Sequence, residues 1–307
     1  MCNVFEGTAV TEHSCYPNCS FTTNGHMLYM TAIRDISIGE RISIDYGNNF
    51  YHPTGDRIES LEESYRFICK CSMCVGPDVK RAFNCNNCFN GTVYPIGTCL
   101  NIESDNSFTQ CQSCGQCPSL SYRQICLSKE EQYRNEPLST LDEIRHVCGV
   151  EKIIHESHHL IFWASDDLAM LLAARARSNS GPTESNSNSK VLKNSDAVIH
   201  SRQCYRDALT AMGETVRLLE IMLPPVHHEK VMYYDRLGQL AVAAGELDFA
   251  GVNFMKAYQM SCLACGVLTP CTLQIQKLII NPPKNLSELL HHYQETGGKN
   301  IMDTDDN

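Results

Sequence analysis

The residues best suited to chemistry in this sequence are cysteines at metal-ligand spacing. Cys69, Cys71 and Cys74 form a C-x-C-x-x-C cluster, which offers three thiolates where tetrahedral zinc takes four ligands. The fourth ligand must come from elsewhere in the chain. Cys15 in "EHSCYPNCS" is the first candidate, and Cys19 is the alternative. The spacing therefore predicts a zinc site that joins two distant segments.

A second group of cysteines consists of two C-x-x-C pairs, Cys85 with Cys88 and Cys111 with Cys114. Each pair can grip one metal ion from a tight turn, and two pairs in succession are typical of a zinc ribbon or knuckle. The surrounding segment has few apolar residues with which to hold a fold, which disfavours free thiols in a loop. We therefore predict two zinc ions per chain.

The remaining candidate ligands are left outside the two predicted sites. Cys117 follows Cys114 closely and could compete as a ligand, and Cys99 lies between the two pairs; two further cysteines are Cys262 and Cys265. The last two stand on a predicted helix, where small apolar-like thiols pack well. Helical spacing would place His155 and His159 on one face, but no further ligand is indicated there.

Composition limits where the chain works and what it binds. The chain has 307 residues, 18 of them cysteine, with 43% hydrophobic and 20% charged residues. No secretory signal or membrane span is visible, so we expect an intracellular chain, in the nucleus and cytoplasm, whose cysteines bind metal rather than form disulfides. The net charge of −10 disfavours direct nucleic-acid binding but would attract a lysine-rich protein substrate.

Patterning predicts an α+β chain with a β-rich beginning and a helical remainder. The runs "HMLYMTAIRDI" and "ERISIDYG" read as strands joined by a turn at Ser37, Ile38 and Gly39. In later segments apolar residues recur three and four positions apart, which predicts helices. The expected divisions are residues 1–50 (strands), 51–76 (first cysteine cluster), 77–120 (second cysteine group), 121–177 (helices), 178–195 (flexible Ser/Asn-rich insert), 196–295 (helices) and 296–307 (disordered tail).

The last helical segment carries a repeat signature. Residues from Tyr234 to Ala257 follow the spacing of a tetratricopeptide repeat. Gly238 and Ala250 are small where two helices would approach closely, and Phe254 would fill the space between them. Gly245 would separate the two helices. The pattern predicts a tetratricopeptide-like helical domain, and a plain helical bundle is the alternative.

Four stretches carry a family resemblance. "EHSCYPN" resembles the N-H-S-C-x-P-N motif of SET-domain lysine methyltransferases, and "IGERISIDYG" resembles the G-E-E-[IL]-x-x-x-Y segment that follows it. "FICKCSMC" resembles the post-SET zinc motif, and "YHPTGDRIESLEESYRF" is similar to the matching stretch of the SMYD subfamily. A cysteine-rich segment and a helical repeat domain follow in the same order. The chain looks closest to the arthropod-type SMYD proteins.

The resemblance implies S-adenosylmethionine as cofactor and a lysine channel lined by tyrosines. It makes Tyr46 the catalytic tyrosine and Tyr65 a second channel tyrosine. Phe67 would stack on the adenine of the cofactor, and His13 would contact the cofactor through its backbone and ring. Tyrosine faces suit the sulfonium and ammonium charges of such a reaction.

The resemblance also implies a ligand set for the first zinc, because the cysteine of the H-S-C motif joins the post-SET trio in the family. That assignment gives Cys15, Cys69, Cys71 and Cys74. One departure concerns the cofactor, since Glu12 stands where the family has an asparagine that holds it. A carboxylate accepts hydrogen bonds but donates none, although it could face the positive charges of the cofactor.

A second departure concerns extent. In the family a glycine-containing cofactor loop and a MYND zinc module precede the H-S-C motif, and only "CNVF", with Asn3, resembles the strand before it. We therefore expect a fragment or truncated isoform with impaired activity toward a histone or non-histone lysine. The alternative is a catalytically inactive, zinc-stabilised scaffold whose tetratricopeptide-like domain binds peptide partners.

Overall fold

The computed structural model describes residues 11–24, 27–47, 50–97, 104, 106–180 and 190–297. Four of the positions and segments discussed above lie outside these described residues: Asn3, Cys99, residues 181–189 and residues 298–307. The described part combines three small sheets with many helices. It is therefore α+β, as the sequence predicts.

The strands are short and pair in three separate sheets of two strands each within the described residues. Their bounds are β1 Glu12–His13, β2 Cys19–Asn24, β3 Met27–Ala32, β4 Ser43–Ile44, β5 Phe83–Asn84 and β6 Thr92–Val93. β1 pairs in parallel with β4, whereas β5 and β6 are antiparallel. The two predicted β-runs thus contribute to different sheets, and the predicted turn between them is present, with Gly39 at φ +83° and the Glu40 N–H donating to the Ser37 carbonyl.

Helices make up most of the later part of the chain. Their bounds are α1 Thr54–Tyr65, α2 Ser72–Val75, α3 Leu120–Asn135, α4 Leu141–His146, α5 His159–Ser180, α6 Lys190–Met222, α7 His228–Ala244, α8 Leu247–Ala264, α9 Pro270–Ile280 and α10 Leu286–Thr296, with a π-helical turn at Val147–Glu151. Helix α5 ends and α6 begins inside the predicted insert 178–195, so helix occupies both of its edges. No described helix is long and apolar enough to cross a membrane.

Local signals explain several helix starts. A capping box opens α4, because the Thr140 hydroxyl accepts the Glu143 N–H while the Glu143 carboxylate accepts the Thr140 N–H. Ser119 and Asn285 are simple N-caps of α3 and α10, because their side chains accept the backbone N–H groups of Tyr122 and Glu288. Pro270 occupies the first turn of α9, where its missing N–H costs nothing.

The chain divides into two compact units. The first comprises the described residues of Met1–Phe21, Ala32–Ala164 and Leu218–Pro224. Its packing includes Tyr51 stacked on Phe162, with ring centroids 4.5 Å apart, and the fully buried Phe83 and Val93 of the β5–β6 sheet. The stacking of Tyr51 on Phe162 thus joins the segments that precede and follow the second cysteine group.

The second unit comprises the described residues of Thr22–Thr31, Ser165–Arg217 and Pro225–Asn307. Its centre is the antiparallel α7–α8 hairpin, which turns at Gly245 with φ +86°. A Cβ on Gly238 would lie 2.6 Å from the Phe254 ring, so glycine is required where this ring crosses α7. Gly238 of the repeat pattern thus lies against Phe254, as the spacing predicts.

Candidate functional site

A parallel pairing of β1 with β4 brings the "EHSCYPN" and "IGERISIDYG" stretches of the first unit side by side. Glu12 lies opposite Ser43 and His13 opposite Ile44. Buried Asn18 locks this arrangement, because its amide donates to the Arg41 carbonyl (2.8 Å) and accepts from the Ser43 N–H (2.9 Å). The "EHSCYPN" and "IGERISIDYG" stretches are therefore one local structure.

The first cysteine group is assembled from both sides of this region. The Sγ atoms of Cys15, Cys69, Cys71 and Cys74 all lie within 4.8 Å of one another. Cys15 Sγ is 4.0 Å from Cys69 Sγ and 3.5 Å from Cys74 Sγ. A tetrahedral zinc site with Zn–S bonds of about 2.3 Å has sulfur–sulfur edges of about 3.8 Å. The donor set and spacing fit zinc, and Cys15 rather than Cys19 completes the group.

Crowding makes these thiols unequal. Hydrogen bonds from Cys69, Cys71 and Cys74, together with burial, raise the pKa of Cys15. Hydrogen bonds from Cys15 lower the pKa of Cys69 and bring that of Cys71 to about 5. Four thiolates this close need a cation before all can ionise, which is the condition that a bound metal satisfies.

One buried arginine stands beside the group. The Arg57 side chain is buried and donates to the His52 carbonyl (2.7 Å) and the Thr54 hydroxyl (3.0 Å), with Cys74 Sγ at 3.9 Å. Burial opposes its charge, but Cys15, Cys74 and a nearby aspartate raise the pKa of Arg57 overall. A fixed cation here offsets the negative charge of the thiolates.

His13 links the cysteine group to the aromatic residues. Its Nδ1 accepts the Tyr46 backbone N–H (3.1 Å), so its Nε2 carries the proton and faces Cys15 Sγ at 3.3 Å. Its ring lies 5.3 Å from the Tyr46 ring and 5.7 Å from the Phe67 ring. The imidazole is thus held by contacts on both nitrogens.

The four aromatic residues singled out from the sequence form one cluster. The Tyr46 ring is 5.1 Å from the Tyr65 ring and 6.4 Å, edge-on, from the Phe67 ring. Tyr65 donates its hydroxyl to the Tyr46 carbonyl (2.9 Å), while the Tyr46 hydroxyl donates to the Thr11 carbonyl. Burial, with Tyr65 and Glu12 nearby, raises the pKa of Tyr46. Tyr46 is therefore a neutral phenol at physiological pH.

A cleft of about 430 Å³ opens beside this cluster, which is within the range of small-molecule sites. One wall is the stretch from Phe67 to Ser72, which ends in the first cysteine group. The other wall contains Glu12, His13, Arg34 and Arg41. The cleft combines an aromatic face with charged groups of both signs.

The second cysteine group lies at the β5–β6 sheet. The Sγ atoms of Cys85, Cys88, Cys111 and Cys114 are all within 4.8 Å of one another, with two sulfur–sulfur distances of 3.7 Å. These spacings also fit a tetrahedral zinc site. The structure thus brings together both of the four-cysteine groups that the sequence predicts.

Main-chain and amide N–H groups surround the second group. The backbone N–H of Asn87 donates to Cys85 Sγ, and that of Ser113 donates to Cys111 Sγ, both at 3.4 Å. The Asn87 side chain donates to Cys114 Sγ (3.5 Å) and is the largest cause of lowering the pKa of Cys114 to about 6. These donors favour the thiolate form that binds metal.

A third cluster of potential ligands joins Glu130 of α3 to His158 and His159 at the start of α5. Arg81 occupies both oxygens of the Glu130 carboxylate, at 2.8 and 2.5 Å. His158 Nδ1 accepts the Leu160 N–H, so its Nε2 carries a proton that a metal ligand must lack. The cluster is a buried ion-pair network. The predicted pairing of His155 with His159 on one helix face is wrong, because α5 begins only at His159.

Comparison with known proteins supports the family resemblance in the motif region. The SET domain family model matches residues 3–47. Human N-lysine methyltransferase SMYD2 is 35% identical over 79 residues, which are 26% of this chain and 18% of that protein. Zebrafish SMYD2-B is 39% identical over 71 residues, and human histone-lysine N-methyltransferase SMYD3 is 35% identical over 75 residues.

This chain carries a SET-domain segment of the SMYD type. The aligned stretch spans less than a fifth of the length of each of these curated relatives, 18%, 16% and 17% respectively. The SMYD-type segment is the same part of the molecule that supplies Glu12 and His13 to the cleft, Tyr46 to the aromatic cluster and Cys15 to the first cysteine group. The family match and the geometry thus coincide.

Sequence reasoning missed three residues of the SMYD-type site. Asn18 was quoted as part of a motif, but its role as a clamp depends on a strand pairing across the chain. Arg41 differs from the second glutamate of the family motif and marks the cleft wall. The sequence did not indicate a role for Arg57, because its function depends on contacts with cysteines that are distant along the chain.

Proposed function

We propose that this chain forms part of an S-adenosylmethionine-dependent protein-lysine methyltransferase. The observation that carries the proposal is the ring cluster of His13, Tyr46, Tyr65 and Phe67 beside a four-cysteine group, with His13 and Phe67 lining the adjoining cleft. The relatives named above are lysine methyltransferases by their printed names, which supports a protein lysine, histone or non-histone, as methyl acceptor.

The aromatic cluster would orient the reacting amine. Methyl transfer needs a neutral amine in line with the departing sulfonium, and positioning of this kind contributes much of the rate of an enzyme. Tyr46 and Tyr65 supply ring faces for the cationic groups and hydroxyls that accept or donate hydrogen bonds. Phe67 lines the cleft on the side where an adenine ring would stack.

The two cysteine groups would each hold one zinc ion. Bound there, zinc contributes folding energy rather than chemistry, because all four ligands in each group are protein thiolates. In the first group, Cys15 would tie the SET-type motif to the segment that carries Tyr65 and Phe67. His13, hydrogen-bonded between Cys15 and Tyr46, would transmit this alignment to the reacting centre.

The test is methyl transfer from radiolabelled S-adenosylmethionine to histone and non-histone lysine peptides. We expect Tyr46→Phe to reduce transfer about 100-fold or more while leaving cofactor affinity within twofold. Tyr29→Phe, which removes a hydroxyl bonded to Met27 Sδ, is the matched control and should change neither. Equal activity of Tyr46→Phe and the unaltered protein would reject the role of Tyr46, and absence of cofactor binding would reject the proposal.

A second candidate function is a protein-interaction scaffold. Its support is the apolar surface of α8, where Phe249, Val252 and Leu263 are 46%, 53% and 56% exposed. Helical repeats bind extended peptides through such surfaces. A chain that retains both zinc ions yet neither binds cofactor nor transfers methyl groups would favour this candidate.

A further inference from the structure

The cleft contains two arginine–glutamate pairs that are held very differently. In the first, Glu40 accepts from Arg34 Nη2 (2.7 Å), the Asn18 amide (3.0 Å) and the Ser37 N–H (3.1 Å). Arg34 is the largest of the causes that lower the pKa of Glu40 to about 2. Several partners from different segments thus fix this carboxylate, which makes it part of the frame.

The second pair is exposed and simple. Arg41 Nη1 donates to Glu12 Oε1, and the two side chains are 79% and 54% exposed. An ion pair this exposed contributes little to stability. Glu12 and Arg41 can therefore separate, and each can bind a charged group of a ligand at small cost in free energy. Arg34 and Glu40 cannot, because several partners hold Glu40 in place.

The position of the pair relates it to the cleft. Glu12 precedes His13 on β1 and Arg41 lies just before β4, so the parallel pairing of these strands places both on one wall. The opposite wall is the stretch that begins with Phe67. A ligand with its flat aromatic part near Phe67 and His13 would find a cation and an anion together at its polar end.

The chemistry that matches such a pair is a zwitterion. A guanidinium binds a carboxylate through two parallel N–H donors, and a carboxylate accepts from an ammonium group. An α-amino-acid head group presents both charges on adjacent atoms. Each could replace one half of the Glu12–Arg41 pair, so that no charge is left without a partner.

We propose that Glu12 and Arg41 together bind the α-ammonium and α-carboxylate groups of the methionine moiety of the cofactor. This inference rests on the proposed function, since S-adenosylmethionine is the ligand that brings that head group. It assigns a binding role to Arg41. It also explains how a glutamate serves at position 12, because Arg41 compensates its charge when the cleft is empty.

The experiment compares two ligands by calorimetry on the purified full chain. S-Adenosylhomocysteine carries the amino-acid head group, and 5′-methylthioadenosine has the same adenosine and thioether without it. We expect Arg41→Gln and Glu12→Gln each to weaken S-adenosylhomocysteine binding about tenfold. Binding of 5′-methylthioadenosine should stay within twofold, which also shows that each variant is folded.

Arg145→Gln is the matched control. It breaks the exposed Arg145–Asp142 pair of α4, outside the cleft, and should change neither affinity. Equal loss of both ligands in the Arg41 variant, or unchanged S-adenosylhomocysteine affinity, would overturn the inference while leaving the proposed function intact. Equal affinity of the unaltered protein for the two ligands would also overturn it. Binding of neither ligand would overturn the proposed function and this inference together.

Discussion

The two cysteine groups have the same four donors but different architecture. In the first group, Cys15 and Cys69 are 54 positions apart, and the cluster lies among Tyr46, Phe67 and other apolar residues. In the second group, Cys85 and Cys114 are 29 positions apart, and Cys88 and Cys114 remain partly exposed. One group closes a long loop through the candidate site, and the other closes a short loop through its own segment.

The two groups also stabilise thiolate charge by different means. A buried guanidinium, that of Arg57, stands beside the first group, whereas backbone and amide N–H donors surround the second. The difference shows that two sites with the same four ligands can affect different parts of the molecule when a ligand is lost. Loss of the first should disturb the cofactor cleft, and loss of the second should remain local.

The largest effect should come from removing one ligand of each group. We expect Cys15→Ser and Cys114→Ser each to lower zinc content from two to about one per chain. Only Cys15→Ser should also abolish S-adenosylhomocysteine binding, because Cys15 joins the SET-type motif to the wall of the cleft. Zinc analysis and calorimetry on the same samples measure both results. Equal loss of ligand binding in the two variants would remove the distinction between the groups.

The next effect concerns Arg57. Replacing this buried arginine by methionine leaves the thiolates without their cation and the His52 and Met73 carbonyls without this donor. We expect a loss of roughly 3 kcal/mol in the free energy of unfolding, together with weaker zinc binding at the first group. Denaturant unfolding and zinc competition provide the measurements. Arg175→Met, at an exposed position of α5, is the control, and similar stability of the two variants would contradict the role of Arg57.

The sequence predicts the ligands of these two groups but not the residues that surround them. Ligand type and spacing identify both sets of cysteines, since C-x-x-C pairs are local signals, and family resemblance selects Cys15 over Cys19. The partners that tune each group are set by contacts between separated positions, so neither Arg57 beside Cys74 nor Asn87 beside Cys114 is visible in a local pattern. The repeat spacing predicted the contact of Gly238 with Phe254 because both residues belong to one hairpin. The histidine pairing failed because the start of α5 depends on packing.

A smaller effect is expected at Gly91, which serves only the second group. A Cβ at this position would lie 2.5 Å from Cys111 Sγ and 2.7 Å from Ser113 Oγ. Gly91→Ala should therefore displace Cys111 and lower zinc affinity at the second group roughly tenfold. Gly149→Ala, where a Cβ meets no atom within 4 Å, is the control. Stepwise chelator titration should show one weakened site, and weakening of both sites would mean that the groups are coupled.

The smallest effect should come from Asn87, whose side chain donates to Cys114 Sγ at 3.5 Å. This hydrogen bond is the largest cause that lowers the pKa of Cys114 to about 6, so the thiolate persists to lower pH than an ordinary cysteine. Asn87→Ala should raise that pKa, and protons should then displace zinc from the second group at a higher pH. Release of zinc followed by a colorimetric chelator between pH 7 and pH 5 should show this shift with the first group unchanged. An unchanged pH midpoint of zinc release would mean that the backbone N–H donors alone stabilise the thiolates of the second group. The two groups would then differ because one has a buried arginine side chain and the other has only main-chain donors.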